Sequence, residues 1–163
     1  LTMGCNPLRK EGLRWAFLLL VFLTGCAGQE VRQPQEPVKA DPEMAASFEK
    51  EGRKAFEEGR KGAAAKAWQK AVELDPTNAV TVNNLALVLK DQYRFAEAVK
   101  LLETGISHSP DVAELHFNLA VIAELYLLDL KTALTHYNRY RELTKADDQE
   151  VAGWIADLER RLE

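Results

Sequence analysis

The chain is poor in the residues that build covalent frameworks and reaction centres. Only Cys5 and Cys26 stand among 163 residues, too few for the disulfide networks that hold small exported domains together. His108, His116 and His136 are the only histidines, and none lies at the i, i+3 or i+4 spacing by which a helix presents metal ligands. His108 is expected at the end of a helix, and His116 and His136 at positions that pack between helices. No stretch alternates apolar and polar residues with the period of a strand, so no strand leads into a glycine-rich phosphate loop. No nucleophile stands with a base. Catalytic residues, cofactors and metal ligands are therefore assigned as none, and the chain is read as a non-enzyme. Positive charge is not in excess either: the formal net charge is −4, which argues against nucleic acid as a partner. The clusters Arg53-Lys54 and Arg60-Lys61 alternate with Glu49, Glu51, Glu57 and Glu58 and read as solvated, self-paired helix faces. The apolar run from Trp15 to Leu23 is nine residues long, short of the ~20 needed to cross a bilayer.

What the chain does have is a period. Pro76 and Pro110 lie 34 residues apart, and the same interval separates Gly52, Ala86 and Ala120, Ala64 and Ala98, and Trp68 and Leu102. Small residues at such positions let two helices approach closely, while Trp68 or Leu102 fills the space between a helix pair and its neighbour. The third unit departs from the pattern. Leu119 lies 34 residues after Leu85, but Ala133 lies 35 after Ala98, which places one inserted residue in the stretch Glu124 to Leu127; Lys145 stands where a closing proline would be.

These residues resemble the tetratricopeptide repeat family, whose 34-residue unit is a helix-turn-helix. The resemblance implies an all-α solenoid of three helix pairs, residues 45–78, 79–112 and 113–146, closed by a capping helix over 147–162, the whole domain spanning 43–163. Local signals agree. Asp41 caps a first helix that opens on Pro42, Asp75-Pro76 and Ser109-Pro110 separate pairs, and Asp111 is expected to cap the fifth helix. Gly59 and Gly62 bracket the first turn. Asp147 and Glu150 have capping-box spacing, and Val151, Trp154, Ile155, Leu158 and Leu162 share one face of the last helix.

The resemblance also implies where a partner would bind, since the first helix of each pair lines a concave face. The outward positions fall on Arg53 and Phe56, then Asn83, Leu87 and Lys90, then Phe117, Val121 and Leu125. An apolar stripe through Phe56, Leu87, Phe117, Val121 and Leu125 suits an extended or helical peptide; the other reading is that the stripe is core, covered by the cap or by a second copy of the chain. Co-chaperones of the same family share a carboxylate clamp of basic and Asn residues. The matching positions here are Glu49, Arg53, Asn84, Glu114 and Asn118, and only Asn84 fits, so an acidic C-terminal peptide is not the expected ligand.

The N-terminus concerns location. Arg9, Lys10 and Arg14 precede the run from Trp15 to Leu23, as in a secretory signal, and Leu23-Thr24-Gly25-Cys26 resembles the lipobox of bacterial lipoproteins. That resemblance implies a signal peptide over 1–25 and acylation, with palmitate among the chains, of Cys26 as the first mature residue. An uncleaved signal anchor is the alternative. Leu1 is an unusual start, so Met3 or a non-standard codon is expected to begin the precursor. Ala27 resembles the sorting pattern for the outer membrane, which implies anchoring on its periplasmic face. Loss of residues 1–25 removes three basic residues and Glu11 and takes the net charge to −6. Residues 26–42 contain Pro34 and Pro37 and little that could be buried, so they read as a disordered tether able to reach ~50 Å when extended.

Together these readings predict a membrane-anchored scaffold that binds a protein partner in the cell envelope, in pilus or secretion assembly or in outer-membrane assembly. The alternative is a self-associating structural lipoprotein, a homo-oligomer whose groove is filled by another subunit.

Overall fold

A computed structural model describes residues 39–145 and 148–163. The signal segment, Cys26, most of the tether and Asp147 lie outside the described residues. Seven α-helices follow one another among the described residues: α1 Pro42–Glu57, α2 Lys61–Leu74, α3 Ala79–Asp91, α4 Phe95–His108, α5 Ala113–Ile122, α6 Leu130–Thr144 and α7 Gln149–Leu162. A π-helical turn, Ala123–Leu127, extends α5. The helices pair as α1 with α2, α3 with α4 and α5 with α6; α2 packs on α3, α4 on α5, and α7 closes on α6. The architecture is an all-α solenoid.

The helix starts follow from capping chemistry. Asp41 Oδ1 accepts from the Met44 amide at 2.9 Å and Pro42 occupies the first turn, so the orphan donors of α1 are reduced by one bond and by one missing N–H. Asn78 and Asp129 cap α3 and α6 in the same way. Three expectations are corrected. The fifth helix has Val112 at its N-cap and no side-chain cap; Asp111 instead accepts from Arg139 Nη2 of α6 at 2.7 Å. The last helix is capped one residue later than its sequence suggested, by Asp148, which accepts from the amides of Glu150 and Val151, both at 3.1 Å. Gly62 also lies inside the first turn of α2, so Gly59 alone serves the first turn.

The period is visible in the packing. Ala64, Ala86, Ala98, Ala120 and Ala133 are fully buried where helices cross, and Gly52 is buried under the Trp68 ring. A β-carbon on Gly52 would lie 2.5 Å from Trp68 Cδ1, so the larger aromatic in repeat 1 demands a smaller partner than the Ala86 and Ala120 of the next repeats. Trp68, Leu102 and Tyr137 occupy equivalent places and are all buried, although the insertion hides Tyr137 from a strict 34-residue comparison. Pro76 and Pro110 sit between pairs, after α2 and α4.

The inserted residue can be located by its hydrogen bonds. The Arg60 amide donates to Ala55 O and the Arg94 amide to Leu89 O, both at 2.9 Å; the third bond of the series runs from the Asp129 amide to Ala123 O, also at 2.9 Å, one residue longer. The left-handed residue of each turn moves in step, from Gly59 (φ 75°) to Tyr93 (φ 62°) to Leu128 (φ 56°). The extra residue is absorbed as the π-helical turn inside 123–127, a usual way for a helix to take up one residue, and the turn itself is unchanged. Lys145 closes α6 in the left-handed conformation, φ 51°, which proline cannot adopt.

Candidate functional site

A cavity of about 240 Å³ lies between the first two helix pairs. α1 supplies Arg53, Phe56 and Glu57, α2 supplies Trp68, and α3 supplies Asn84, Leu87, Val88 and Asp91. Its apolar part is an aromatic pair, Phe56 and Trp68 with ring centroids 5.6 Å apart, facing Leu87 and Val88. Trp68 is held from below, because its indole N–H donates to Glu49 O at 3.2 Å. Phe56 remains 44% exposed. A volume below the ~300–1,000 Å³ of small-molecule sites suits one side chain of a larger ligand.

The polar wall is unevenly engaged. Arg53 Nη2 lies 2.6 and 2.8 Å from the two carboxylate oxygens of Glu49. Asp91 accepts from Lys61 Nζ at 2.6 Å, with Lys90 Nζ 3.8 Å away, and the Lys61 hydrogen bond holds the Asp91 carboxyl below its ordinary pKa. Glu57 and Asn84 have no side-chain partner among the described residues.

Of the residues expected to line the groove, Arg53, Phe56 and Leu87 meet in this cavity. Lys90 stands beside it through Asp91. Asn83 does not face a ligand: its Oδ1 accepts from Asn118 Nδ2 of α5 at 2.7 Å, an amide link between two first helices. Phe117 is half-buried in an aromatic cluster with Tyr137, Tyr140 and Trp154, at centroid distances of 6.2, 5.1 and 6.2 Å. Val121 packs partly buried against the core, and Leu125 is 62% exposed in the π-helical turn. The apolar stripe is thus divided: its first half opens into the cavity, and at Phe117 the cap supplies the covering that the sequence left open. Leu162, expected on the buried face of α7, is exposed at the chain's last turn, leaving Val151, Ile155 and Leu158 as the buried residues of that helix.

Two polar arrangements had no signal in the sequence. His116 Nδ1 and His136 Nδ1 are 2.8 Å apart, and His116 Nε2 is 3.0 Å from Pro110 O. A carbonyl only accepts, so His116 carries its proton on Nε2 and its Nδ1 accepts from His136 Nδ1–H. Burial, and then the neighbouring His116, lowers the pKa of His136. In the same repeat, one residue further along α6, burial together with Glu124 raises the pKa of the Tyr137 hydroxyl, which donates to the Glu124 carboxylate; Arg161 of α7 reaches the same carboxylate at 3.3 Å. Partners 20 and 13 residues away along the chain leave no local pattern. Among the described residues no three His, Cys, Asp or Glu side chains converge as metal ligands, and no helix is long and apolar enough to cross a membrane.

Stacked helix pairs with an open, part-apolar cavity on their first helices define an interaction scaffold of the α-solenoid class. The family model of the tetratricopeptide repeat matches residues 67–100, a window of one period that runs from α2 into α4. Residues 67–100 thus carry a tetratricopeptide repeat. The chain's fold is similar to the first tetratricopeptide domain of Spaghetti (RPAP3) bound to the HSP90 peptide SRMEEVD, with a TM-score of 0.67 at 21% identity over 77% of this chain and 98% of that one. It is similar also to the TPR2B domain of yeast Sti1 in complex with an Hsp70 peptide, with a TM-score of 0.63 at 18% identity over 73% of this chain and 98% of that one. MamA is a third similar structure, with a TM-score of 0.65 at 18% identity over 74% of this chain and 64% of that one. At these identities the likeness is one of fold. A search of curated proteins finds no match.

Proposed function

We propose that the chain is a scaffold lipoprotein of the bacterial cell envelope, anchored through Cys26 on the periplasmic face of the outer membrane, which holds a segment of a partner protein between α1 and α3. The observation that carries the binding half is the cavity at Phe56, Trp68, Leu87 and Val88, with an unpartnered Asn84 amide at its wall. Apolar surface beside a free amide suits a chain that presents a side chain and a backbone together. The peptides bound by the RPAP3 and Sti1 domains favour a peptide segment as ligand, although four of the five clamp positions differ here. The anchoring half rests on sequence: three basic residues, a nine-residue apolar run and Leu23-Thr24-Gly25-Cys26 in order. No catalytic step is assigned, and pilus, secretion or outer-membrane assembly are the processes such a scaffold would serve.

Self-association is the second reading, favoured by a different surface, the exposed Tyr93, Leu125 and Leu128 at the turns. A photo-crosslinking residue introduced in cells at position 87 is expected to yield an adduct with another envelope protein. Adducts with the chain itself only, from 87 and from 125, would establish the oligomer instead. For the anchor, Cys26→Ser should abolish palmitate labelling and membrane retention, and unchanged labelling refutes lipidation.

A further inference from the structure

The charge around the cavity goes beyond the binding of a segment and specifies its chemistry. The geometry points to a socket for a cationic side chain, Lys or Arg, of an extended segment of the partner, an inference that rests on the groove reading above. The cavity wall carries one cation and two carboxylates: Arg53, Glu57 and Asp91. Arg53 is already engaged by both oxygens of Glu49, so it offers little to an anionic ligand without first losing that pair. Asp91 is shared with Lys61 and Lys90. Glu57, exposed and without a partner among the described residues, is the charge left to recognise a ligand. An anionic group would meet it with repulsion; a purely apolar plug would cover the carboxylate rim and give nothing in return.

A long cationic side chain satisfies both parts of the wall. Its methylene stem covers Phe56 and Leu87, as Lys and Arg stems cover apolar surface elsewhere, and its head reaches Glu57 at the rim. The exposed face of Phe56 adds attraction for a cation, and the free Asn84 amide is placed to take a backbone group beside the anchored residue. The five clamp positions follow the same logic. Glu49 stands at a position where the clamp has a basic residue, and it neutralises the one arginine nearby, so the site has the opposite preference to a carboxylate clamp.

The test is an array of immobilised synthetic peptides of random composition, probed with the purified full chain and with Glu57→Lys and Leu87→Gln, each checked for native helicity by circular dichroism. Bound peptides should be enriched in Lys or Arg, and Glu57→Lys should weaken their binding about tenfold, equivalent to ~1.4 kcal/mol. Binding that shows no cationic preference, or that Glu57→Lys leaves unchanged, overturns the socket; if Leu87→Gln still abolishes it, the groove reading stands. Binding indifferent to both variants overturns the groove reading as well. Peptides captured only by a chain lacking residues 27–38 would identify the chain's own segment as the occupant and overturn the partner assignment. Capture by neither chain overturns both readings.

Discussion

Replacing Gly52 by alanine tests how the repeat is built. A helix interior ordinarily gains about 1 kcal/mol from this change, and Gly153 in α7, with nothing within 4 Å of an added β-carbon, should show that gain. At Gly52 the β-carbon would stand 2.5 Å from Trp68 Cδ1 and Nε1 and 2.8 Å from Cγ, whereas carbon atoms rest at about 3.5–4.0 Å. The ring must therefore move by about 1 Å against a buried surface. Overpacking of this kind costs about 1–3 kcal/mol, and loss of the hydrogen bond from Trp68 Nε1 to Glu49 O adds about 1 kcal/mol. Set against the propensity gain, Gly52→Ala should be destabilising by about 1–3 kcal/mol. The double variant Gly52→Ala/Trp68→Leu recreates the Ala86 and Leu102 pair of repeat 2, both members of which are fully buried. It should be more stable than the sum of the single changes by at least ~1 kcal/mol, a coupling measurable in a double-mutant cycle. Urea unfolding followed by far-UV circular dichroism gives all four values. If Gly52→Ala stabilises as Gly153→Ala does, or if the cycle is additive, Trp68 is not what requires glycine at that position.

Three other outcomes are expected. Thr81 Oγ1 is buried with no partner among the described residues, so Thr81→Val should raise the unfolding free energy, measured in urea, by about 1 kcal/mol, and a loss would show that the hydroxyl is satisfied in solution. Leu128 is 73% exposed and left-handed, and Leu128→Gly should stabilise by about 0.5–1 kcal/mol once the greater freedom of the unfolded glycine is deducted; a destabilised variant would mean that the exposed side chain is packed. The histidine pair sets a pH dependence. His136 has a lowered pKa in the folded chain, so between that value and the ordinary ~6.5 the unfolded chain binds more protons, and stability is full above ~6.5 and falls as pH drops through the window. His136→Asn, which keeps a donor for His116 without the titration, should flatten the melting temperature against pH, and an unchanged slope contradicts the assignment.

Most of the fold is written locally, which is why it can be read from the chain. The interval between Gly52, Ala86 and Ala120 records a helix crossing repeated in space, and Asp41-Pro42 records a cap made by neighbours in sequence. The 35-residue step from Ala98 to Ala133 revealed the insertion, but a count of residues does not say whether the extra one enlarges a turn or a helix; the carbonyl of Ala123 decides that. Asp111 failed as a cap because Arg139, distant in sequence, competes for its carboxylate. The groove was half legible. Helical spacing put Phe56, Leu87 and Phe117 on first helices, yet whether each is open depends on what packs over it, and Trp154 of α7 lies against Phe117 while no helix covers Phe56 to the same degree. The His116–His136 contact has no sequence signature because the helical spacing rules do not connect residues on α5 and α6.

The proposed partner occupies the space between α1 and α3. Hydrogen exchange read by mass spectrometry, on the full chain alone and bound to the protein crosslinked at position 87, tests this placement directly. Slower exchange is expected in segments covering 49–57 and 83–91, with no change in α4, whose residues do not line the cavity. Protection confined to α4, or to the turn at 125–128, would contradict it.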